Sequence, residues 1–250
     1  MPRFILRFSA LSALCAAGAF GQTGSFGQIA YGGSWQTTFT LMNLNSSVAT
    51  VTLSFFDDNG ATLSAPVLNS GFTPVYTFAI PAGGSQNVVL SSSDRTTTQG
   101  WASLSTTGNV RGQASFRFQL PSGTISEAVV PLSAPALLGC LLPIFQPDPV
   151  ILLPFDNTGQ YVTSLAFANI SAVARASVLE FYDDAGGLLI TDTLSLAPKQ
   201  HSAFVSVRTY QELAGKKGTL KIHSTTANLT VLGLLSNSTG AVTTIIPVIQ

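Results

Sequence analysis

Apolar and polar side chains alternate along much of the chain, one residue at a time. Trp35, Phe39 and Leu41 stand at alternate positions among glutamine and threonine, and the alternation returns from Thr50 to Phe55. Successive side chains of a β-strand point to opposite faces, so this pattern predicts antiparallel strands with one face toward a core and one toward water.

Short turn signals separate these stretches. Clusters of glycine, proline, asparagine, aspartate and serine occur at Asn45–Ser47, Asp58–Gly60, Pro81–Gly84, Thr107–Asn109 and Pro121–Gly123. Sustained helical periodicity is absent, apart from one capped turn at Thr209–Gly215. About seven short strands per ~100 residues are typical of an immunoglobulin or fibronectin-III sandwich. The predicted fold class is therefore all-β, with two tandem immunoglobulin/fibronectin-III-like antiparallel β-sandwiches.

The prediction of two sandwiches comes from an internal repeat. Trp35–Leu44 aligns with Tyr161–Ile170, and Leu53–Gly60 aligns with Leu179–Gly186, both at a shift of 126 residues. Val130 and Pro131 meet Ile246 and Pro247 at a shift of 116, so the first copy should carry about ten extra residues, near 68–76. We predict β-sandwich modules at 27–135 and 150–250.

Two further segments lie outside the repeat. Residues 1–21 combine Arg3 and Arg7 with a short apolar run and small residues, which predicts a signal peptide cleaved after Ala19 or Gly21. Residues 136–149 form an apolar, proline-rich linker that contains Cys140 and is a poor candidate for a membrane helix. The predicted location is secreted or at the cell surface, without a transmembrane span in the mature chain.

Charge and composition narrow the function classes. Charged residues make up 9% of the chain and hydrophobic residues 46%, and loss of the leader moves the formal charge from 0 to about −2. Without a basic surface there is no electrostatic case for nucleic-acid binding. One cysteine remains after the leader, so an intrachain disulfide is excluded. We expect an unknown protein or glycan partner at the cell exterior.

Catalytic and cofactor motifs are missing. The chain has two histidines, His201 and His223, and lacks the usual nucleophile, zinc and phosphate-loop motifs. A cluster of His223, Asp192 and a serine is the one hydrolase arrangement that we consider. We therefore predict no catalytic residues and no cofactor.

The most acidic repeated feature lies in two turns. Asp57 and Asp58 precede Asn59-Gly60, and Asp183 and Asp184 precede Ala185-Gly186. Paired carboxylates are suitable calcium ligands, but too few further acids lie nearby to complete a site. The favoured interpretation is a turn in which aspartate binds its own backbone and glycine takes a positive φ angle.

Trp101 is the candidate for a ligand-binding face. If residues 100–105 and 110–117 form a hairpin, Trp101 faces outward opposite Gln113, beside Arg111. An exposed aromatic ring with neighbouring donors can stack on a sugar and bind its hydroxyl groups. In the favoured alternative, the Arg111 side chain or the neighbouring module covers Trp101.

Leu232 and Leu234 mark a second candidate surface. The run Leu229–Leu235 is apolar on both faces, and such a strand needs a cover on its outer side. The linker, the first module or a partner chain are the three covers that the sequence allows.

The sequence also resembles a known group of modules. The resemblance rests on Tyr31–Trp35, Phe55–Gly60, Gly100–Ala102 and Val129–Pro131. With these motifs the chain resembles tandem immunoglobulin-like modules of secreted, uncharacterised bacterial proteins, which implies an exported β protein without an assigned activity. The expected function is an exported, non-enzymatic structural or adhesive protein. The alternatives are a carbohydrate-binding module and a secreted hydrolase.

Overall fold

The computed structural model describes residues 22–120, 122–133, 150–224 and 228–250. The predicted signal peptide, the predicted linker and Cys140 lie outside these residues. Within them, antiparallel strands form four sheets, and the prediction of an all-β fold is confirmed. Among the described residues, no helix has the length and hydropathy needed to cross a membrane.

Two sheets belong to residues 22–133, which we call the first half. Their strands are β1 (Gln22–Tyr31), β2 (Trp35–Asn43), β3 (Ala49–Phe56), β4 (Ala65–Val67), β5 (Gly71–Thr73), β6 (Val75–Ile80), β7 (Ser85–Ser91), β8 (Thr98–Thr106), β9 (Val110–Gln119) and β10 (Ile125–Pro131). The strand orders are β1-β8-β3-β6 and β10-β9-β2-β7-β4-β5.

The other two sheets belong to residues 150–250, which we call the second half. Their strands are β11 (Val150–Asp156), β12 (Tyr161–Asn169), β13 (Arg175–Asp183), β14 (Leu188–Leu196), β15 (His201–Val205), β16 (Lys217–Ser224), β17 (Leu229–Asn237), β18 (Val242–Ile245) and β19 (Val248–Ile249). The helix α1 (Ser206–Thr209) and a 3₁₀ turn (Gln211–Leu213) connect β15 to β16.

The strand orders of the two halves correspond. The sheet β19-β11-β16-β13-β14 repeats β1-β8-β3-β6 with one strand added at its edge, and β18-β17-β12-β15 repeats β10-β9-β2-β7. In each half a buried apolar cluster draws side chains from both sheets, which gives a β-sandwich-like arrangement. Consecutive strands such as β8 and β9 lie in different sheets.

In each half, a buried threonine and a buried asparagine make equivalent hydrogen bonds. Thr37 accepts from the backbone N–H of Ala30 and donates to its carbonyl, at 2.9 and 2.8 Å, and Thr163 does the same with Asp156 at 2.8 and 3.0 Å. The Asn169 amide donates to the carbonyls of Val173, Leu196 and Ala197 at 2.8–3.2 Å. The Asn43 amide likewise donates to three backbone carbonyls, at 2.7–3.1 Å. These side chains satisfy buried backbone groups that no strand partner reaches.

The halves differ at the connection between equivalent strands. In the first half the chain between β3 and β6 forms the β4–β5 hairpin, which exposes Leu68 and Phe72, whereas β13 and β14 are joined by a short turn. The extra segment lies in the region where the sequence comparison places the insertion.

Candidate functional site at the contact between the two halves

β1 is buried on both faces, and the second half provides one of the two covers. Every residue from Gly24 to Tyr31 is buried, although a strand facing water on one side would alternate. The Ser25 and Thr230 hydroxyls are hydrogen bonded at 2.6 Å, and a Cβ at Gly27 would lie 2.8 Å from the Thr230 methyl carbon. Backbone and side chains therefore approach closely where β1 meets β17.

This contact explains the apolar outer face of β17. Leu232 is 1% exposed and belongs to the buried cluster of the first half, together with Ala166 of β12, and Leu234 packs against the same cluster. Among the described residues, the first half provides this cover, and it is one of the three that the sequence allowed. The contact is intramolecular, so Leu232 and Leu234 are not a free interaction patch.

Trp101 is not on an exposed face, which corrects the predicted sugar-binding arrangement. Its side chain is 0% exposed and stacks on Phe56, with the ring centroids 4.5 Å apart. Its indole N–H donates to the carbonyl of Lys199 in the second half at 2.7 Å. The neighbouring half covers the ring, as the alternative interpretation proposed.

Arg111 and Gln113 are exposed, but they are not neighbours of Trp101. Alternation along β9 buries Val110, Ala114 and Phe116 and leaves Arg111 and Gln113 exposed. The predicted hairpin is wrong because β9 pairs with β2 and β10, whereas β8 pairs with β1 and β3. The structure therefore does not bring the three predicted ligand-binding residues together.

A buried histidine joins the halves beside Trp101. His201 Nδ1 lies 2.7 Å from a carboxylate oxygen of Asp58, and its backbone N–H donates to the Asp58 carbonyl at 3.3 Å. The His201 side chain is 0% exposed, whereas that of Asp58 is 43% exposed. His201 Nε2 is buried without a hydrogen-bond partner. This geometry suits a ring that carries its proton on Nδ1 and donates it to Asp58.

Two further side chains complete this group. The Gln99 amide donates to the second carboxylate oxygen of Asp58 at 2.9 Å. The Lys199 ammonium donates to the Ile170 carbonyl and lies 5.6 Å from the centroid of the Trp101 ring. We call Asp58, Gln99, Trp101, Lys199 and His201 the polar cluster.

The pKa values of the two charged members shift for different reasons. Burial alone would raise the pKa of Asp58, but the hydrogen bonds from His201 and Gln99 outweigh it and hold that pKa below its usual 3.8. Partial burial lowers the pKa of Lys199. Asp58 is therefore an anion at neutral pH, as an acceptor of two side-chain hydrogen bonds should be.

The acidic turns have the geometry of the turn interpretation. One carboxylate oxygen of Asp57 accepts from the N–H groups of Asn59 and Ala61, and Asp183 repeats this bonding in the second half. Gly60 and Gly186 have φ angles of 80° and 83°. Asp184 pairs with Lys217 at 3.6 Å. Within the described residues, no three acidic, histidine or cysteine side chains are grouped as metal ligands.

The two turns differ in what they contact. A Cβ at Gly60 would lie 2.4 Å from the Pro198 carbonyl oxygen and 2.8 Å from the Lys199 carbonyl carbon. A Cβ at Gly186 would meet nothing within 4 Å. The first acidic turn is thus an interface element, and the second is a surface turn.

The hydrolase arrangement is not assembled. Asp192 accepts a hydrogen bond from the Tyr210 hydroxyl at 2.8 Å, whereas His223 lies 3.0 Å from Glu180 on an exposed strand face. The hydrogen bonds to Glu180 from His223, and then from Tyr182, lower the pKa of this carboxyl.

Sequence reasoning did not find the pairing of Asp58 with His201. The two residues are 143 positions apart and belong to different halves. One signal was present, since the second half has a histidine at the start of β15 where the first half has Ser85. That difference marks a contact which only one half makes.

No protein-family model matches the chain, and no curated protein sequence matches it either. Two solved structures of β-glucuronidases from Bacteroides uniformis, one covalently bound to cyclophellitol-6-carboxylate aziridine, align with 92% of this chain. Their identities to it are 11% and 12%, their TM-scores are 0.18 and 0.19, and this chain covers 26% of each. A similarity this low carries no argument about fold or activity.

Proposed function

We propose that this chain is an exported, non-enzymatic adhesive protein of the cell exterior, in which two tandem immunoglobulin-like modules are fixed to each other as one unit. The corresponding strand orders and the repeated bonds of Thr37 and Thr163 support two copies of one module. The signal peptide predicted at residues 1–21 supports export.

The observation that carries the proposal is the contact between the halves. Trp101, the aromatic residue of the predicted ligand-binding face, and His201, one of the two histidines, are both buried in it. The buried Ser25–Thr230 pair and packed apolar residues join β1 to β17, so side chains as well as the connecting segment specify the relative position of the modules. A fixed pair presents its outer faces in one geometry, which is useful for adhesion.

The outer faces of equivalent strands support a unit of two rather than a longer array. Thr230, Leu232 and Leu234 lie on the face of β17 that the first half covers, whereas β9 presents Arg111 and Gln113 at its exposed face. Terminal modules of a stacked array typically have polar outer faces. The polar outer face of β9 therefore suits the first module to be the terminal module of the pair.

Two of the exposed faces among the described residues are candidates for binding a partner. One is the β9 face with Arg111 and Gln113, and the other is the face of β13 and β16 on which Glu180, Lys221 and His223 lie. Both combine charged and uncharged polar groups, which is typical of recognition at a wet protein surface.

Bead retention tests this proposal. Beads that carry the purified chain should be retained on cells that secrete it, and beads with an unrelated β-sandwich of similar charge should not be. Because a rim charge affects encounter with a partner, either Arg111→Glu or Lys221→Glu should reduce retention several-fold and so locate the adhesive face.

An enzyme assay tests the alternative that the chain is a hydrolase. The wild-type chain should turn over none of a panel of ester, peptide and glycoside substrates. Turnover that is lost in His223→Ala would replace the adhesive proposal with a hydrolase, and equal retention of the two kinds of beads would also reject adhesion.

A further inference from the structure

β6 is an edge strand of the sheet β1-β8-β3-β6 and, among the described strands, it pairs with β3 alone. A strand with one neighbour leaves alternate backbone N–H and C=O groups unpaired on its other side. Proteins usually protect such an edge with a charged side chain, a bulge or a proline within the strand. β6 reads Val-Tyr-Thr-Phe-Ala-Ile and pairs without a register shift, and no charged residue occurs between Asp58 and Asp94. The edge therefore lacks these protections.

The hydrogen bonds around β6 show which backbone groups are free. The Pro74 carbonyl accepts from the backbone of β3 at 3.1 Å, so it points toward β3. The next residue, Val75, points away from β3, and the Thr73 hydroxyl accepts from its N–H at 3.3 Å and donates to its carbonyl at 2.6 Å. Because the direction alternates along an antiparallel strand, the N–H and C=O groups of Thr77 and Ala79 also point away from β3. No described residue outside β3 is hydrogen bonded to them.

The equivalent edge strand of the second half, β14, is protected. Asp192 stands in the middle of β14, and its carboxylate accepts from the N–H of Thr193 at 2.7 Å. Thr193 is the equivalent of Thr77, since the shift of 116 residues relates them. A carboxylate at this position occupies a free donor and repels a second copy of itself. The difference between the halves singles out β6 as the edge that can accept another strand.

We propose that two copies of this chain pair through β6, antiparallel and related by a two-fold axis at Phe78, so that their sheets join into one. A two-fold axis perpendicular to a sheet keeps core-facing side chains on one face, so it passes through a residue and not between two. With the axis at Phe78, Thr77 lies opposite Ala79 of the second copy, and the free N–H and C=O groups of both residues are all paired. An axis at Thr77 would instead need the groups of Val75, which the Thr73 hydroxyl already binds.

The side chains of β6 suit this register. Tyr76 and Phe78 stack with their ring centroids 5.4 Å apart, and both are only partly buried against the core of the first half. In the dimer, Phe78 lies opposite Phe78 of the second copy in a non-hydrogen-bonded pair, where side chains are closest, and Tyr76 lies opposite Ile80. One residue separates β6 from β5, on which Phe72 is 64% exposed. Pairing therefore removes apolar area from water as well as satisfying the backbone.

Association through β6 ends at two copies. A two-fold contact uses the same surface on both chains, so it closes and leaves neither edge free. The strand carries no charge, so two copies of it meet without like-charge repulsion. The exposed face with Arg111 and Gln113 belongs to the other sheet of the first half, so the dimer neither requires nor excludes the adhesive function.

Sedimentation velocity of the purified chain over a range of concentrations tests the dimer. The wild-type chain should show a reversible equilibrium between monomer and dimer. Ala79→Pro removes an N–H that the symmetric contact uses twice, and it should raise the dimer dissociation constant about tenfold or more. The β3 ladder does not use this N–H, so the edge strand tolerates the proline. Ser195→Pro, at the equivalent position of β14, is the matched control and should leave the dissociation constant unchanged.

Disulfide cross-linking tests the register and decides the proposal even if Ala79→Pro does not fold. In a Cys140→Ser background, Phe78→Cys should form a disulfide-linked dimer on mild oxidation, because the two Cα atoms of a non-hydrogen-bonded pair lie about 4.5 Å apart. Val75→Cys should stay monomeric on a non-reducing gel, since its two thiols would be about 20 Å apart.

Three results would reject the dimer through β6. The first is a wild-type chain that stays monomeric up to about 100 µM, or that forms species larger than a dimer. The second is a folded Ala79→Pro variant with the dissociation constant of the wild type. The third is cross-linking that is as efficient at Val75→Cys as at Phe78→Cys.

Discussion

Gly60→Ala should lower the free energy of unfolding by about 2–5 kcal/mol. About 1–2 kcal/mol of this arises because an L-residue at a φ of 80° places its Cβ against the backbone. A further ~1–3 kcal/mol is the cost of overpacking, since the new Cβ would lie 2.4 Å from the Pro198 carbonyl oxygen. Pro198 belongs to the other half, so this second contribution belongs to the interface. Urea denaturation of the purified variant measures the sum.

Gly186→Ala is the matched control for Gly60→Ala. It has the same turn geometry, with a φ of 83°, and its new Cβ would meet nothing within 4 Å. The expected loss is therefore the backbone contribution alone, about 1–2 kcal/mol. Equal losses in the two variants would show that the first turn is not packed against the second half.

Trp101→Ala should cost about 3–5 kcal/mol, the range for truncating a fully buried tryptophan. The variant loses the stacking on Phe56 and leaves the Lys199 carbonyl without its donor. The Lys199 ammonium also loses one of the two aromatic rings near it. The loss should be measured by denaturation at neutral pH, where Asp58 is ionised.

Trp101→Phe separates the packing of the Trp101 ring from its hydrogen bond, and Thr219→Ala is the matched control. Trp101→Phe keeps a ring on Phe56 but removes the N–H donor, and it should cost roughly the 1–3 kcal/mol of an unsatisfied buried carbonyl plus a smaller packing loss. Thr219 is the cross-strand partner of Tyr182 in the second half, as Trp101 is of Phe56 in the first half. Thr219→Ala should therefore change stability by less than about 0.5 kcal/mol, as a surface substitution does. A Trp101→Ala loss as small as this would contradict its burial at the interface.

Much of the fold follows from local sequence pattern. Alternation places Phe39 and Leu41 on the buried face of β2 and Thr40 on the exposed face, because the side-chain period of a strand is two residues. The Asp-Asp turns were interpreted correctly because aspartate and glycine act on their own backbone, and such effects need no information from distant residues.

The pairing of strands does not follow from the same pattern. A short connection between β8 and β9 suggested a hairpin, but the chain crosses there from one sheet to the other. Alternation shows that Ala102 and Leu104 face the core but does not show what lies on the other side. The pattern therefore places Trp101 on an outer face and does not show that the second half is what covers it.

The contact between the halves was only partly visible in the sequence. The doubly apolar strand β17 predicted that something covers Leu232, and this reasoning depends on composition alone. The identity of the cover depends on how two distant segments are placed in space. The same holds for Asp58 and His201, since each is an ordinary polar residue at the end of a strand until the other is beside it.

We expect the two halves to stabilise each other and to unfold as one unit. Differential scanning calorimetry of the wild-type chain at neutral pH tests it most directly. We predict one transition whose calorimetric and van't Hoff enthalpies agree, as two-state unfolding requires. Two separate transitions, each with about half of the total enthalpy, would contradict the claim and would show that the modules are independent domains on a linker.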